Sequence, residues 1–209
     1  MVSRLETIWK IISKLFQPHD ITGLGVDIAR AMALCKQHLR KHEAMRVVKS
    51  WTNSWATSHR ADEATRFPCL FGCQGPLDDF KHYVQCPHWL FLLSELLPDS
   101  PPSPLPLVRL GLVEPSLPTL KALACSFAGY HALKRHASSS SYTNDNLNER
   151  QIIDCHRVFY DAFIAAAQDC ALPCVALSTL NEFLSSVIGE AGYAGSHLTC
   201  WPRTDQVPQ

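Results

Sequence analysis

Three cysteines and one histidine stand close together in the stretch CLFGCQGPLDDFKHYVQC, which covers residues 69–86. Their spacing is C-x3-C-x8-H-x3-C. Three thiolates and one imidazole match a structural zinc site in number and in chemical softness. The alternatives are a disulfide loop, or buried thiols beside a histidine on a helix surface. We predict that one Zn²⁺ is bound by Cys69, Cys73, His82 and Cys86.

Turn and helix signals around these residues favour the same interpretation. Gly72 permits the positive φ of a tight turn between the first two cysteines, and QGP turns the chain back. Asp78 or Asp79 can cap a short helix, on which His82 and Cys86 would lie one turn apart. Four protein ligands leave no position for a reacting water, so the metal is predicted to hold the fold and not to perform catalysis.

The stretch HYVQCP, in which a proline follows the last ligand, resembles a region of non-LTR retrotransposon proteins. That region is the C-terminal zinc-binding region, of CCHC type, that follows the reverse transcriptase. The stretches WTNSWATSHR, RLGL and LKALACSFAGYHALK are similar to its flanks, and the resemblance covers roughly residues 43–136. This resemblance implies the same four zinc ligands and a role in binding the RNA of the element or the target DNA.

The polymerase and nuclease sites that accompany this region in such elements are not found in the sequence. No aromatic-x-Asp-Asp sequence on a strand precedes the zinc motif, and Asp78 and Asp79 lie inside the metal loop, where a two-metal polymerase site cannot be built. Pro98, Asp99 and Glu114 have roughly the separation of a nuclease signature. They lie in a proline-rich segment and lack the flanking basic residue and lysine. We predict that the chain is not an enzyme.

A second pair of cysteines, Cys170 and Cys174, repeats the C-x3-C spacing, with Cys155 and His156 upstream. Neither pair has a His or Cys partner at helical spacing, so buried thiols are preferred over a second metal site. No role is assigned to the isolated cysteines Cys35, Cys125 and Cys200.

Basic residues are concentrated in one part of a chain whose formal net charge is zero. Residues 30–66 contain eight Lys or Arg residues and three acidic ones. If 42–60 forms one helix, its basic and polar residues share a face that carries no acidic residue, while Trp51 and Trp55 lie on the opposite face as core anchors. Such a face suits phosphate contacts, although a merely solvated helix surface is the alternative. The predicted nucleic-acid contacts are Arg40, Lys41, Arg46, Lys49 and Arg60.

The pattern of apolar residues predicts an all-α fold with a small zinc-knuckle insertion. Helices are expected near the N-terminus, within 26–60, and over 118–136, 147–170 and 178–188. Residues 97–118 carry half of the fourteen prolines and are predicted to be a strap between two helical halves. The predicted domains are 1–97 with the zinc lobe, a linker over 98–117, a helical region over 118–189 and a flexible tail over 190–209.

The nine cysteines and the N-terminal sequence bear on location. Glu6, Lys10 and Lys14 interrupt the apolar residues of the first helix, so no secretory signal is recognised, and no apolar run reaches the length of a membrane span. We expect an intracellular protein, nuclear or cytoplasmic, without membrane contact. Two functions remain open: a zinc-stabilised module that binds RNA or DNA with little sequence specificity, and a zinc-stapled helical scaffold for protein interaction.

Overall fold

A computed structural model describes residues 4–16, 24–62, 66–99, 101–103, 105–140, 142 and 147–174. Within these residues the chain is helical and forms no strand, and the predicted all-α class is confirmed. A single antiparallel bridge joins Pro68 and Leu77. The helices are α1 (Arg4–Phe16), α2 (Leu24–His38), α3 (Lys41–Trp51), α4 (Phe80–Tyr83), α5 (Pro87–Leu96), α6 (Pro106–Arg109), α7 (Leu117–Ser139) and α8 (Glu149–Asp169).

The helix α7 is the centre of the fold. It packs most extensively against α8, and next against α3. Gly129 allows α8 to approach closely, because a Cβ at this position would lie 2.7 Å from the ring of Phe159. The Ser116 side chain accepts a hydrogen bond from the Thr119 amide and caps α7, and Pro118 lies in its first turn, as predicted. The predicted helix over 147–170 is also found, as α8.

The stretch 26–60 does not form one continuous helix. It breaks after His38, and α3 begins at Lys41, where the Glu43 carboxylate accepts a hydrogen bond from the Arg40 amide at 2.8 Å. The expectation of a single helix over 42–60 is wrong, because α3 ends at Trp51 and Asn53 adopts a φ of 49°. Asparagine tolerates this left-handed conformation, which redirects the chain.

The turn after α3 places two tryptophans in the core. Trp51 and Trp55 are both buried, as predicted, although they do not belong to one helix. The Trp51 indole donates to the Leu110 carbonyl at 2.7 Å, and the Trp55 ring stacks on Tyr130 of α7 at 4.7 Å between centroids. The core therefore joins α3, the segment before α7, and α7 itself.

The second part of the segment 98–117 packs against the core, whereas Pro98, Asp99 and Pro101 in its first part are exposed. It contains the helical turn α6, and Leu110 and Leu112 are buried. The parts of the chain before and after this segment contact each other directly, through α3 and α7 and through the Trp55 and Tyr130 rings. The helix predicted over 178–188 and the tail over 190–209 lie outside the described residues.

The described helices include none that is long and apolar enough to cross a membrane.

Candidate metal centre and neighbouring basic surface

The loop that carries the first two cysteines folds back on itself. The Cys69 amide donates to the Pro76 carbonyl at 2.9 Å, and the Asp78 amide donates to the Phe67 carbonyl at 3.0 Å. Within this loop the Gly72 amide donates to the Cys69 carbonyl at 3.0 Å, and Gly72 has a φ of 87°. The predicted tight turn at Gly72 is therefore present, because glycine adopts this conformation without steric cost.

The structure brings the four predicted metal-ligating side chains together. The ligand atoms of Cys69, Cys73, His82 and Cys86 all lie within 4.8 Å of one another. The Cys86 sulfur is 3.8 Å from that of Cys69 and 3.5 Å from that of Cys73. The Nε2 atom of His82 is buried and forms no hydrogen bond. A buried imidazole nitrogen is costly to leave without a partner, and this cluster can hold a metal ion.

The last two ligands do not share one helix, contrary to the sequence-based expectation. His82 lies in α4, which ends at Tyr83, and Cys86 is the N-cap residue of α5. A turn joins these helices, with the Gln85 amide donating to the His82 carbonyl at 2.8 Å and the Cys86 amide to Tyr83 at 3.2 Å. Pro87 begins α5, a position that suits its fixed φ, and this explains the break.

The thiols of this cluster differ in acidity. Hydrogen bonds from Cys69 and then Cys86 lower the pKa of Cys73, whereas burial is the main cause that raises the pKa of Cys86. The thiolate is the form of cysteine that binds metal.

The helix α8 packs on the loop between Phe67 and Asp78. Because this loop carries two of the predicted ligands, Cys69 and Cys73, we call it the metal-binding loop. The His156 imidazole lies 3.2 Å from the Phe71 carbonyl, and the Phe71 ring packs edge-on against Phe159 at 5.1 Å. A Cβ at Gly72 would lie 2.9 Å from the Cδ1 atom of Ile152. The position of the first two cysteines thus depends on a helix about eighty residues further along the chain.

A buried carboxylate holds the other side of the loop. Asp78 is fully buried and accepts hydrogen bonds from the Ser58 amide at 2.7 Å and the Tyr83 hydroxyl at 2.7 Å. From α7 it accepts a hydrogen bond from the Tyr130 hydroxyl at 2.8 Å and pairs with Lys134 at 3.1 Å. The N-cap residue of α4 is its neighbour Asp79, whose side chain makes no capping bond.

The cysteines outside the loop form no second metal cluster among the described residues. Cys155 and Cys170 are buried, as predicted, whereas Cys174 is only half-buried. The Cys170 sulfur lies 3.6 Å from that of Cys125. His42, Glu43 and Asp169 also come close together at the surface. The Arg40 guanidinium already occupies this position, with ion pairs of 2.6 Å to both carboxylates.

The five predicted nucleic-acid contacts differ in their surroundings. Lys41 and Lys49 are exposed on α3 and Arg46 is half-buried, whereas Arg60 is exposed in the turn that follows the helix. Arg40 forms ion pairs with Glu43 and Asp169, and the hydrogen bonds that its guanidinium donates, first to Asp169 and then to Glu43, raise its pKa. The expectation of a face without acidic groups is therefore wrong at its N-terminal end, because Asp169 of α8 reaches it.

Two residues of α7 that were not predicted from the sequence, His131 and Arg135, also belong to this basic surface. Burial, followed by the charges of Lys49, Arg135 and Arg46, lowers the pKa of His131 to about 4. The Nε2 atom of His131 is buried without a hydrogen bond. The centroid of its ring lies 4.1 Å from that of the Phe127 ring, and the Nζ atom of Lys49 lies 5.8 Å from the Phe127 centroid. No signal in the sequence pairs α3 with α7, so only the packing reveals this cluster.

No protein-family model, curated protein or solved structure matches this chain.

Proposed function

We propose that the protein is a zinc-stabilised nucleic-acid-binding module, related to the zinc-binding region that follows the reverse transcriptase in non-LTR retrotransposon proteins. The zinc would be held by Cys69, Cys73, His82 and Cys86. Its partner is RNA or DNA, bound mainly through phosphates and with little sequence specificity. The module has no catalytic role of its own.

The donor set and its spacing support zinc as the metal. Sulfur ligands about 2.3 Å from a central Zn²⁺ in a tetrahedron are roughly 3.7 Å apart. The sulfur atoms of Cys69 and Cys73 lie 3.8 and 3.5 Å from that of Cys86. Bound metal would neutralise the thiolates, accept the nitrogen lone pair of His82 and fix the loop against α8.

The observation that carries the nucleic-acid proposal is the cluster of cations between α3 and α7. Lys49 lies over the Phe127 ring, which packs against His131, and after burial the charges of Lys49, Arg135 and Arg46 lower the pKa of His131. Among the described residues, no carboxylate forms an ion pair with any of these three cations. An ordinary solvated surface intersperses acids with its bases, whereas a phosphate-binding surface does not.

A salt titration tests this proposal. Purified zinc-loaded protein is mixed with labelled single-stranded RNA and duplex DNA at several salt concentrations. We expect micromolar affinity at moderate salt, and log affinity that falls against log salt with a slope of about three to four, one for each phosphate contact. Absence of salt-sensitive binding to either polymer at low ionic strength would reject nucleic-acid binding and leave the zinc-stapled scaffold as the function.

A further inference from the structure

A cavity of about 270 Å³ lies between α5, α6 and the first half of α7. Most of its walls are apolar: α5 contributes Trp89 and Leu93, the C-cap residue of α5 is Leu97, and α7 contributes Leu123. Its rim includes the exposed Pro101 and Pro118. It shares no residue with the metal-binding loop or with the basic cluster.

Among the described residues of the cavity wall, Arg109 is the charged one, and it is only 9% exposed. Its guanidinium donates to the carbonyl groups of Ser103 and Val84, while its Nε atom is buried without a partner. Within the described part of the chain no carboxylate pairs with it. A buried charge without a counter-ion lowers the stability of a folded protein by roughly several kcal/mol.

A second unsatisfied donor belongs to the same wall. The indole nitrogen Nε1 of Trp89 is buried and forms no hydrogen bond. Buried polar atoms of native proteins nearly always have a partner, so these two nitrogens are unusual among the described residues. The cavity wall thus combines the cation of Arg109 with an apolar interior.

We propose that this cavity binds a small monocarboxylate with an apolar body, its carboxylate against Arg109 and its hydrocarbon part against Leu93, Leu97 and Leu123. One negative charge balances the one guanidinium. A phosphate monoester carries up to two charges, and the wall offers no second cation. A dry cavity of about 150 Å³ accommodates benzene, so this larger one has room for a chain of several carbon atoms.

Arg109 can fill this role at neutral pH. Burial lowers its pKa to about 10, and the guanidinium therefore remains protonated and available to a carboxylate. A charge-assisted bond in a water-poor cavity is stronger than the same bond at the surface. The site would then discriminate between an acid and its neutral alcohol.

Calorimetric titration of the full chain with octanoate and with octanol tests the proposal. We expect octanoate to bind with a dissociation constant below about 1 mM, and octanol to bind at least about tenfold more weakly. Arg109→Gln should reduce the affinity for octanoate to that for octanol. Arg150→Gln removes an exposed guanidinium outside the cavity and should leave both affinities unchanged.

A second variant keeps the test decisive if Arg109→Gln does not fold. Ala122 lines the cavity from α7 and is half-buried, so Ala122→Phe should fill the space while leaving Arg109 in place. We expect this variant to retain its helical circular dichroism and to bind neither ligand. The proposal is overturned if octanoate does not saturate the wild-type protein below about 10 mM, if octanol binds equally well, or if Ala122→Phe binds like wild type.

Discussion

The Tyr130 hydroxyl donates a hydrogen bond to the Asp78 carboxylate at 2.8 Å, which joins the middle of α7 to the loop between Cys73 and His82. Lys134, one turn further along α7, pairs with the same carboxylate at 3.1 Å. Four donors around one fully buried Asp78 offset the cost of removing its charge from water. The geometry of the metal-binding loop therefore depends on α7.

Asp78→Asn should destabilise the protein strongly. The amide retains one oxygen but cannot balance the charge of Lys134 in a buried site, and breaking such a pair costs about 3–5 kcal/mol. Urea denaturation measures the loss. Asp79→Asn is the matched control, because Asp79 is half-buried and makes no capping bond, and we expect a change within about 0.5 kcal/mol. Equal effects of the two changes would contradict a structural role for Asp78.

Gly72→Ala should disturb the metal-binding loop more than Gly75→Ala does. Both glycines have a φ of 87°, so each substitution costs about 1–2 kcal/mol of backbone strain. Only at Gly72 would the new Cβ also meet Ile152, at 2.9 Å, while Gly75 has open space around it. Thermal denaturation and metal affinity by chelator competition are the measurements. The same loss at both positions would show that α8 does not press on the loop.

Metal content should depend on Cys86 and not on Cys125. Protein purified without chelator is expected to contain one zinc per chain by elemental analysis, and Cys86→Ser should lower this and reduce stability, because metal binding contributes folding free energy. Cys125→Ser changes a buried thiol that lies outside the cluster. A wild-type chain without zinc, or a Cys86→Ser variant with a full complement, would refute the assignment.

Stability should fall as the pH falls from about 6.5 to about 4, in part because of His156. Burial lowers the pKa of His156 to about 4, so between these values the unfolded chain binds a proton that the folded chain does not. The contribution of His156 to the free energy of unfolding is fully present above pH 6.5. Its loss between pH 6.5 and pH 4 is on the order of 3 kcal/mol. His156→Gln should have a flatter profile in urea denaturation at pH 7 and pH 5. An unchanged slope would exclude His156 as a contributor.

Changing Arg46, Lys49 and Arg135 together to Gln should weaken binding of RNA and DNA and flatten the salt slope by about two to three units. The matched control, removal of three exposed charges elsewhere, is the triple change of Arg30, Lys36 and Arg150 to Gln. Zinc content should stay the same in both variants. If the control loses as much affinity and slope as the cluster variant, binding reflects overall charge and not this surface.

The residues of the candidate metal site could be predicted from the sequence, but the long-range contacts that hold them in place could not. The four predicted metal ligands lie within 18 positions, so their spacing and the turn at Gly72 were sufficient to place them together. The contact of His156 with Phe71 spans 85 positions, and no local pattern specifies it. The same reason explains why His131 and Arg135 were missed and why Asp169 was not expected beside Arg40: each contact depends on how helices distant in sequence pack.

The break at Asn53 shows a limit of periodicity. Trp51 and Trp55 have the spacing of one helical face, and both are buried. The Trp55 indole donates to the Ser50 hydroxyl at 2.9 Å, and the Trp51 indole donates to the Leu110 carbonyl. Tertiary hydrogen bonds therefore fix these rings, and the helix is free to end between them.

Ile152 and His156 reach the metal-binding loop only after a delay in synthesis. Ile152 follows Cys86 by 66 positions, and ribosomes add about 5–20 residues per second, so the delay lasts about 3–13 seconds. During that interval the nascent chain carries the complete donor set without the helix that later packs on Phe71 and Gly72. If the protein binds zinc as proposed, the ion would reach the thiols while they are still open to solvent, and docking of α8 would then close the site.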